Sequence, residues 1–398
     1  MKIINRIHKA NAGRDPERLM MKYAALRTDA FVFLRGTCHL FYDRLPKSGI
    51  FKTAPAVWCC GDLHLQNFGS YKGDNRLAYF DLNDFDESAL APATWELSRM
   101  IVSILVAAPW LGISNAQAAL LAEHFLQSYV TALASGKARW VERETSVGMV
   151  GDLLAQVHAR SRVDFLDKRT QKKGKQRRFC IDGKKLLEVS DQQRQKVHGF
   201  MERFARSQAH PAFYNVLDVA RRVAGTGSLG VERYAILVEG KGSPDQNYLL
   251  DLKQALPSSI ASHIEHLQPH WPSQAQRVVA LQRRMQAVSI AFLQGVDIGS
   301  GSYVLRALQP SDDCVALAGK QPLDNLVGVV NTMGQCLAWA QLRSGGREGS
   351  AIADELIDFA ARQKWRSKLL PLCEQLATDV REDWKTYCTA YDDGEFRL

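Results

Sequence analysis

Between residues 16 and 45 apolar side chains recur at helical spacing, with Leu19, Tyr23, Leu26 and Ala30 on one face, which predicts a helix. Ala56-Val57-Trp58-Cys59-Cys60 is a short apolar run that predicts a strand entering a Gly-Asp turn. A second run, Leu77-Ala78-Tyr79-Phe80, follows the turn residues Gly73-Asp74-Asn75 and closes a hairpin. Residues 93 to 134 return to helical patterning in two or three pieces. From Phe165 to Leu187 the pattern dissolves into lysine and arginine. A second character begins near Leu217: a glycine-rich stretch, the strand-like Tyr234 to Val238, a Gly-Ser-Pro turn at Gly242 to Pro244, and Tyr248 to Lys253. Helical spacing resumes at 274–294, a strand is expected at Tyr303 to Leu308, and everything beyond about 322 reads as helix. These changes divide the chain at 1–215, 216–310 and 311–398, an α+β pattern without internal repeats.

Composition narrows the class only a little. At 398 residues the chain is too long for one simple core, and its 46% hydrophobic content suits a globular protein. A net charge of +9 favours an anionic partner without choosing among nucleotide, phosphorylated substrate and nucleic acid. The eight cysteines show no C-x-x-C pair and no framework spacing, so reduced thiols are expected, with neither disulfides nor zinc. Met1 to Arg6 lacks an apolar leader, and the most apolar run, Ile101 to Ile113, is short and broken by Pro109. A cytoplasmic protein without membrane attachment is the expectation.

The chemistry concentrates in Cys60-Gly61-Asp62-Leu63-His64-Leu65-Gln66-Asn67 and, after the hairpin, Phe80-Asp81-Leu82-Asn83-Asp84-Phe85-Asp86-Glu87. A lone D-x-x-x-x-N is common in polar loops. Here it follows an apolar strand, and the hairpin is long enough to return a second acidic group beside the first. Four acids within seven residues repel one another unless cations sit among them, and hard oxygens suit Mg²⁺. In the phosphoryl-transfer template Asp62 takes the place of the group accepting the acceptor's hydroxyl proton, Asn67 that of a metal ligand, and Asp81 or Asp84 that of the bridging metal ligand. His64 is placed to order Asp62 or a phosphate.

Gly225-Thr226-Gly227-Ser228-Leu229-Gly230 satisfies G-x-G-x-x-G. A dinucleotide fingerprint opens into a helix, whereas this one runs into strand, which fits a phosphate-covering loop between two strands. The next strand offers Lys253 to the phosphates, against the plainer reading of a surface lysine on an edge strand. Glu265 is the acid between Lys253 and the following helix and is the candidate partner, while Asp251 is expected on the opposite face of the strand. The basic run Lys168 to Lys185 lacks the aromatic interleaving of a single-strand binder, so nucleic acid is not the expected partner. Pro269 interrupts His263, His266 and His270, and no metal site is expected there.

Together, Gly61-Asp62-Leu63-His64 with Asn67, Phe80-Asp81-Leu82-Asn83-Asp84 and Thr94-Trp95-Glu96-Leu97 resemble the aminoglycoside phosphotransferase and choline kinase branch of the protein-kinase-like fold. With Phe33-Leu34-Arg35-Gly36 and Gln276 to Gln286 added, most of the chain resembles the bacterial DUF2252 family. The resemblance implies Asp62 as catalytic base, Asn67 and Asp81 (Asp84 as understudy) as metal ligands, and Gly225, Gly227, Ser228, Gly230 and Lys253 as the nucleotide site. Cys60 stands where that loop usually has a structural histidine. Because the glycine loop follows the catalytic loop, the implied fold is a two-lobed, circularly permuted kinase-like one. Residues 1–215 would form a mainly helical catalytic lobe and 216–310 a small antiparallel β nucleotide lobe, with 311–398 returning to the first. That arrangement predicts that Lys253 and Asp81 meet in one cleft.

The function expected is a Mg²⁺- and ATP-dependent phosphotransferase acting on a small-molecule or protein hydroxyl. Adenylyl transfer on the same fold, a nucleotide-binding pseudokinase and a metal-dependent phosphoesterase are the alternatives. The acceptor and the oligomeric state are not legible.

Overall fold

The computed structural model describes residues 2–264, 267–310 and 313–397. The fold is α+β with antiparallel sheets. Its strands are β1 (Ala56–Cys59), β2 (Phe68–Lys72), β3 (Ala78–Leu82), β4 (Ala89–Pro92), β5 (Val141–Glu142), β6 (Thr170–Lys173), β7 (Gln176–Phe179), β8 (Leu186–Leu187), β9 (Val216–Arg222), β10 (Arg233–Val238), β11 (Tyr248–Gln254), β12 (Gln294–Ile298) and β13 (Gly301–Ala307). The main sheet runs β12-β13-β11-β10-β9-β8, with smaller sheets β2-β3-β5, β1-β4 and β6-β7.

The predicted single helix at 16–45 is three, Pro16–Leu26, Ala30–Gly36 and Cys38–Arg44. Asp29 accepts from Val32 N–H and restarts the helix, a local cap that overrides the continuing apolar period. The helix expected at 274–294 ends at Met285, and the chain turns into β12.

Two helices organise the larger body. Ala93–Val106 is buried at every residue and runs under the short strands. Leu323–Ser344 lies against Asn115–Ala134 so closely that a Cβ on Gly334 would come within 2.5 Å of the Phe125 carbonyl oxygen. The last long helix, Arg366–Asp392, closes the body from the N-terminal side, where Tyr387 donates to the Tyr23 carbonyl at 2.7 Å and Asp383 pairs with Arg44. Among the described residues no helix is long and apolar enough to cross a membrane.

The main sheet has two packed faces. On one, Val197, Phe200 and Met201 of the helix Asp191–Arg206 bury Val219, Tyr234, Ile236 and Leu250. On the other, Leu166 and Phe179 cover Ala220, Ala235, Leu237 and Leu249. Inside the lysine- and arginine-rich run, Arg177 is fully buried and donates to Asp167, Asp245 and the Pro244 carbonyl at 2.5–2.6 Å. That arginine is part of the architecture rather than of a solvated tract.

Candidate active site

Gly61 begins the site because no other residue fits there. Its φ of +92° is left-handed, and a Cβ would stand 2.1 Å from the Glu87 carbonyl oxygen. The helix Ala93–Val106 then grips the loop twice. Buried Glu96 accepts from the N–H groups of Cys60 at 2.7 Å and Gly61 at 3.2 Å. One turn on, fully buried Arg99 donates to Asp62 Oδ1 from Nε at 3.2 Å and Nη2 at 2.5 Å, with its guanidinium over the Phe41 ring. Arg99 went unnoticed in the sequence, although a Glu-x-x-Arg step one helical turn apart was its visible signal.

Arg99 leaves Asp62 Oδ2 free: among the described residues that oxygen receives no hydrogen bond. Burial raises the Asp62 carboxyl above its ordinary pKa, outweighing Arg99. His64 Nδ1 accepts from Gln66 N–H at 3.1 Å, which puts the ring proton on Nε2, 4.0 Å from Asp62 Oδ2. Burial holds this imidazole well below its usual pKa, so it is neutral.

Asn67 is a clamp. Its Nδ2 donates to the carbonyls of Asp62 at 3.0 Å and Asp84 at 3.2 Å, while Oδ1 accepts from the N–H groups of Asp84 at 2.8 Å and Asn83 at 3.3 Å. Asn83 N–H gives its shorter bond, 2.9 Å, to the Asn67 carbonyl, so Oδ1 of this expected metal ligand is engaged chiefly by the Asp84 amide. Asp81, the other expected metal ligand, turns away from Lys253 to Ala287 and Arg343. Strand alternation turns it to the far side of β3, where Oδ2 accepts from Ala287 N–H and Arg343, each at 3.0 Å. Asp84, beyond the strand end, faces the sheet instead.

Lys253 therefore meets Asp84 and Asp86 rather than Asp81. Its ammonium pairs with Asp86 and lies 3.9 Å from Asp84 Oδ1. Glu265 lies outside the described residues, and Asp86 takes the partner's place. The Asp84 side chain is 50% exposed whereas that of Lys253 is 6% exposed, so the acid is open to solvent and the lysine beside it is covered. Burial raises the Asp84 carboxyl, but Lys253, Arg306 and Arg233 outweigh it and hold it below the usual value.

Asp251, two positions from Lys253, shares its face of β11, contrary to expectation, because side chains repeat every second residue. Arg233, directly opposite Lys253, donates to Asp251 at 2.8 and 2.6 Å, and Arg222 and Arg306 stand 2.9 and 3.5 Å away. Three guanidiniums thus share one fully buried carboxylate.

The glycine loop lies over Asp62. A Cβ on Gly227 would sit 3.9 Å from Asp62 Oδ2, and Gly225 and Gly230 take φ of +76° and +85°. Arg14 donates to the Gly227 and Leu229 carbonyls at 2.7 and 2.9 Å, and buried Lys22 to that of Gly227 at 3.1 Å. The loop's carbonyls are held from behind. Among the described residues the amides of Gly225, Gly227 and Ser228 have no protein acceptor. The Ser228 hydroxyl turns back to the Ala224 carbonyl at 3.2 Å. Arg35 completes the wall: its Nε has no partner, and it lies in the field of both Asp62 and Asp84.

Among the described residues no three His, Cys, Asp or Glu side chains gather to hold a metal ion by themselves. Mg²⁺ asks less, since one or two carboxylates and substrate phosphates suffice. Asp84, half exposed and charged, is a donor that fits; His263 pairs with Asp43 at 3.2 Å.

A family model described as "Uncharacterized protein conserved in bacteria (DUF2252)" matches residues 14–390. The chain belongs to the DUF2252 family. No curated protein and no solved structure matches it. All the site residues above, from Arg14 to Arg343, fall within the stretch shared with the DUF2252 model.

The buried imidazoles give this DUF2252 chain a pH signature. Burial, with Lys22, Arg6 and Arg14 nearby, takes His39 down to about 3, and His64 is lowered as well. The unfolded chain therefore binds more protons below about pH 6.5. Stability is fully present above that pH and falls as pH is lowered, by at most about 1.4 kcal/mol per pH unit for each histidine. Urea midpoints should drop between pH 7.5 and 5.5, and His39→Gln should flatten the drop. A wild-type midpoint that stays level would refute this assignment.

Proposed function

We propose that the chain is a Mg²⁺- and ATP-dependent phosphotransferase with a two-lobed, circularly permuted kinase-like architecture, acting on a small-molecule or protein hydroxyl. The observation that carries this reading is the meeting of Lys253, Asp84 and Asp86, together with a glycine loop in which a Cβ added to Gly227 would come within 3.9 Å of Asp62 Oδ2. The order within the sheet supports it: the loop joins β9 to β10, and the lysine is on the next strand, as in the kinase template.

Asp62 Oδ2 accepts the proton of the attacking hydroxyl, and its raised pKa brings its basicity closer to that task. Arg99 and Glu96 fix the Asp62 loop so that Oδ2 lies beside the glycine loop. The free amides of the glycine loop, with Lys253, Arg35 and Arg306, compensate the phosphate charge. Asp84 would hold Mg²⁺, which supplies charge neutralisation at the phosphates. The hydroxyl oxygen bonds to the γ-phosphorus, the bond from that phosphorus to the bridging oxygen breaks, and ADP leaves.

Adenylyl transfer is the second reading, and the arginine cluster favours it. A purine slot would be apolar, yet two positions from Lys253 this face presents Arg222, Arg233 and Arg306 around Asp251. Terminal phosphates laid over those arginines would leave the α-phosphorus nearest Asp84, so that the hydroxyl bonds there and pyrophosphate departs.

ATP labelled separately at the α and γ positions tests both, with Mg²⁺ present and water as the default acceptor. Release of γ-label as phosphate supports phosphoryl transfer, and α-labelled AMP with pyrophosphate supports the reversed mode. Lys253→Ala should lower either by about 100-fold or more. No release together with no nucleotide binding at millimolar ATP would overturn the proposal.

A further inference from the structure

We propose that a second cavity, at the opposite end of β11 from Lys253, is a binding site for a small phosphate-bearing molecule with a flat apolar body. The cavity encloses about 240 Å³ between the β2–β3 hairpin, the helices on either side of Arg160, and the ends of β11 and β13. It is separate from the group around Lys253 described above. Leu249, in its wall, is four residues from Lys253, about 13 Å along the strand. No residue of the acidic turn or the glycine loop lines it.

Charge is the first argument. Lys72, Arg76, Arg160 and Arg162 line the cavity, and Asp313 is the one carboxylate among its lining residues. Asp313 is engaged by Arg160 at 3.1 and 2.6 Å. Among the described lining residues, four cations against one acid leave a surplus of three positive charges around a space of small-molecule size. Like charges gathered this way repel, and an anion relieves them. Burial together with Arg160, Arg162 and Arg76 lowers the Lys72 ammonium's pKa, the mark of that crowding.

The ring surface is the second. The Arg162 guanidinium lies 3.7 Å from the centre of the Tyr248 ring and donates to its hydroxyl at 2.8 Å. Phe292 stands edge-on to the same ring, 5.8 Å away. With Arg162 covering the Tyr248 face, the planar group lies against that guanidinium–ring pair and Phe292 while the cations take its phosphate.

Strain is the third. Among the described residues three non-glycine positions have positive φ, Arg76 (+72°), Phe292 (+63°) and Glu348 (+49°), and the first two line this cavity. A bulky residue held there is unfavourable, and such positions gather where ligands bind. Both here aim side chains of opposite character, one cationic and one aromatic, at the same space. A volume of about 240 Å³ suits a small molecule. An occupant would touch both the hairpin that leads to Asp84 and the strand that carries Lys253.

Calorimetric titration of the full chain with phenyl phosphate, inorganic phosphate and phenol tests the site. Phenyl phosphate should bind about tenfold more tightly than inorganic phosphate, and phenol should show no binding. Lys72→Gln and Arg76→Gly should each weaken phenyl phosphate by about fivefold or more. Arg76→Gly should also raise the melting temperature by about 1–2 °C, because glycine adopts this φ without strain. That opposition of sign separates a binding role from a structural one. No binding of phenyl phosphate at about 10 mM, or binding that Lys253→Ala weakens and Arg76→Gly does not, would overturn the assignment.

Discussion

Asp62→Asn should lower nucleotide turnover by about 10²–10⁴-fold while leaving the affinity for ATP within about threefold of wild type. The asymmetry comes from the two carboxylate oxygens having different work. Oδ1 is committed to Arg99, and an amide carbonyl in the same place can still accept from that guanidinium. Oδ2 has no hydrogen-bond partner among the described residues and lies beside the glycine loop. Replacing it with an NH₂ group removes the proton acceptor at that atom and little else. Steady-state turnover and equilibrium nucleotide binding, measured on one preparation, check the split. Unchanged turnover would remove Asp62 from the chemistry, and a matching collapse in ATP affinity would make it a binding group. The pseudokinase alternative predicts binding in both proteins and turnover in neither.

Asp251→Ala should destabilise the fold by about 3–5 kcal/mol, the cost of leaving a buried charge without its partner. Here the loss strands three cations at once. Burial and the neighbouring Arg233 and Arg306 already bring Arg222 down to about 10 with Asp251 in place. The same arithmetic gives the control. Arg222→Leu added to Asp251→Ala should recover part of the loss, since it removes one of the stranded charges, and a double-mutant cycle in urea measures the coupling. Strict additivity of the two substitutions would show that the cluster does not act as a unit.

Much of the site was legible because its signals are local. The strand into Gly61-Asp62, the hairpin after it and the Gly225 to Gly230 loop are each specified within about ten residues, and the structure places them face to face. Asp81 and Asp84 were harder to separate. The motif contains both, and only the phase of β3, set by pairing with β2, turns the first away and leaves the second beside Lys253. Asp251 could have been placed correctly from the period of two alone. Arg233 and Arg306 were invisible for a different reason. Each reaches its partner through tertiary packing or sheet register, and a lone arginine in an apolar stretch carries no local mark of the acid it will meet. The break at Asp29 is a case where a cap outweighed a longer hydrophobic period.

The hold of Arg14 and Lys22 on the Gly227 carbonyl, with Asp15 N–H bonded to the Gly230 carbonyl at 2.9 Å, ties the chain's beginning to its glycine-rich flap. Trimming the first thirty residues would cut that tether and leave the flap to swing. Fusion partners for purification are therefore better appended at the opposite terminus.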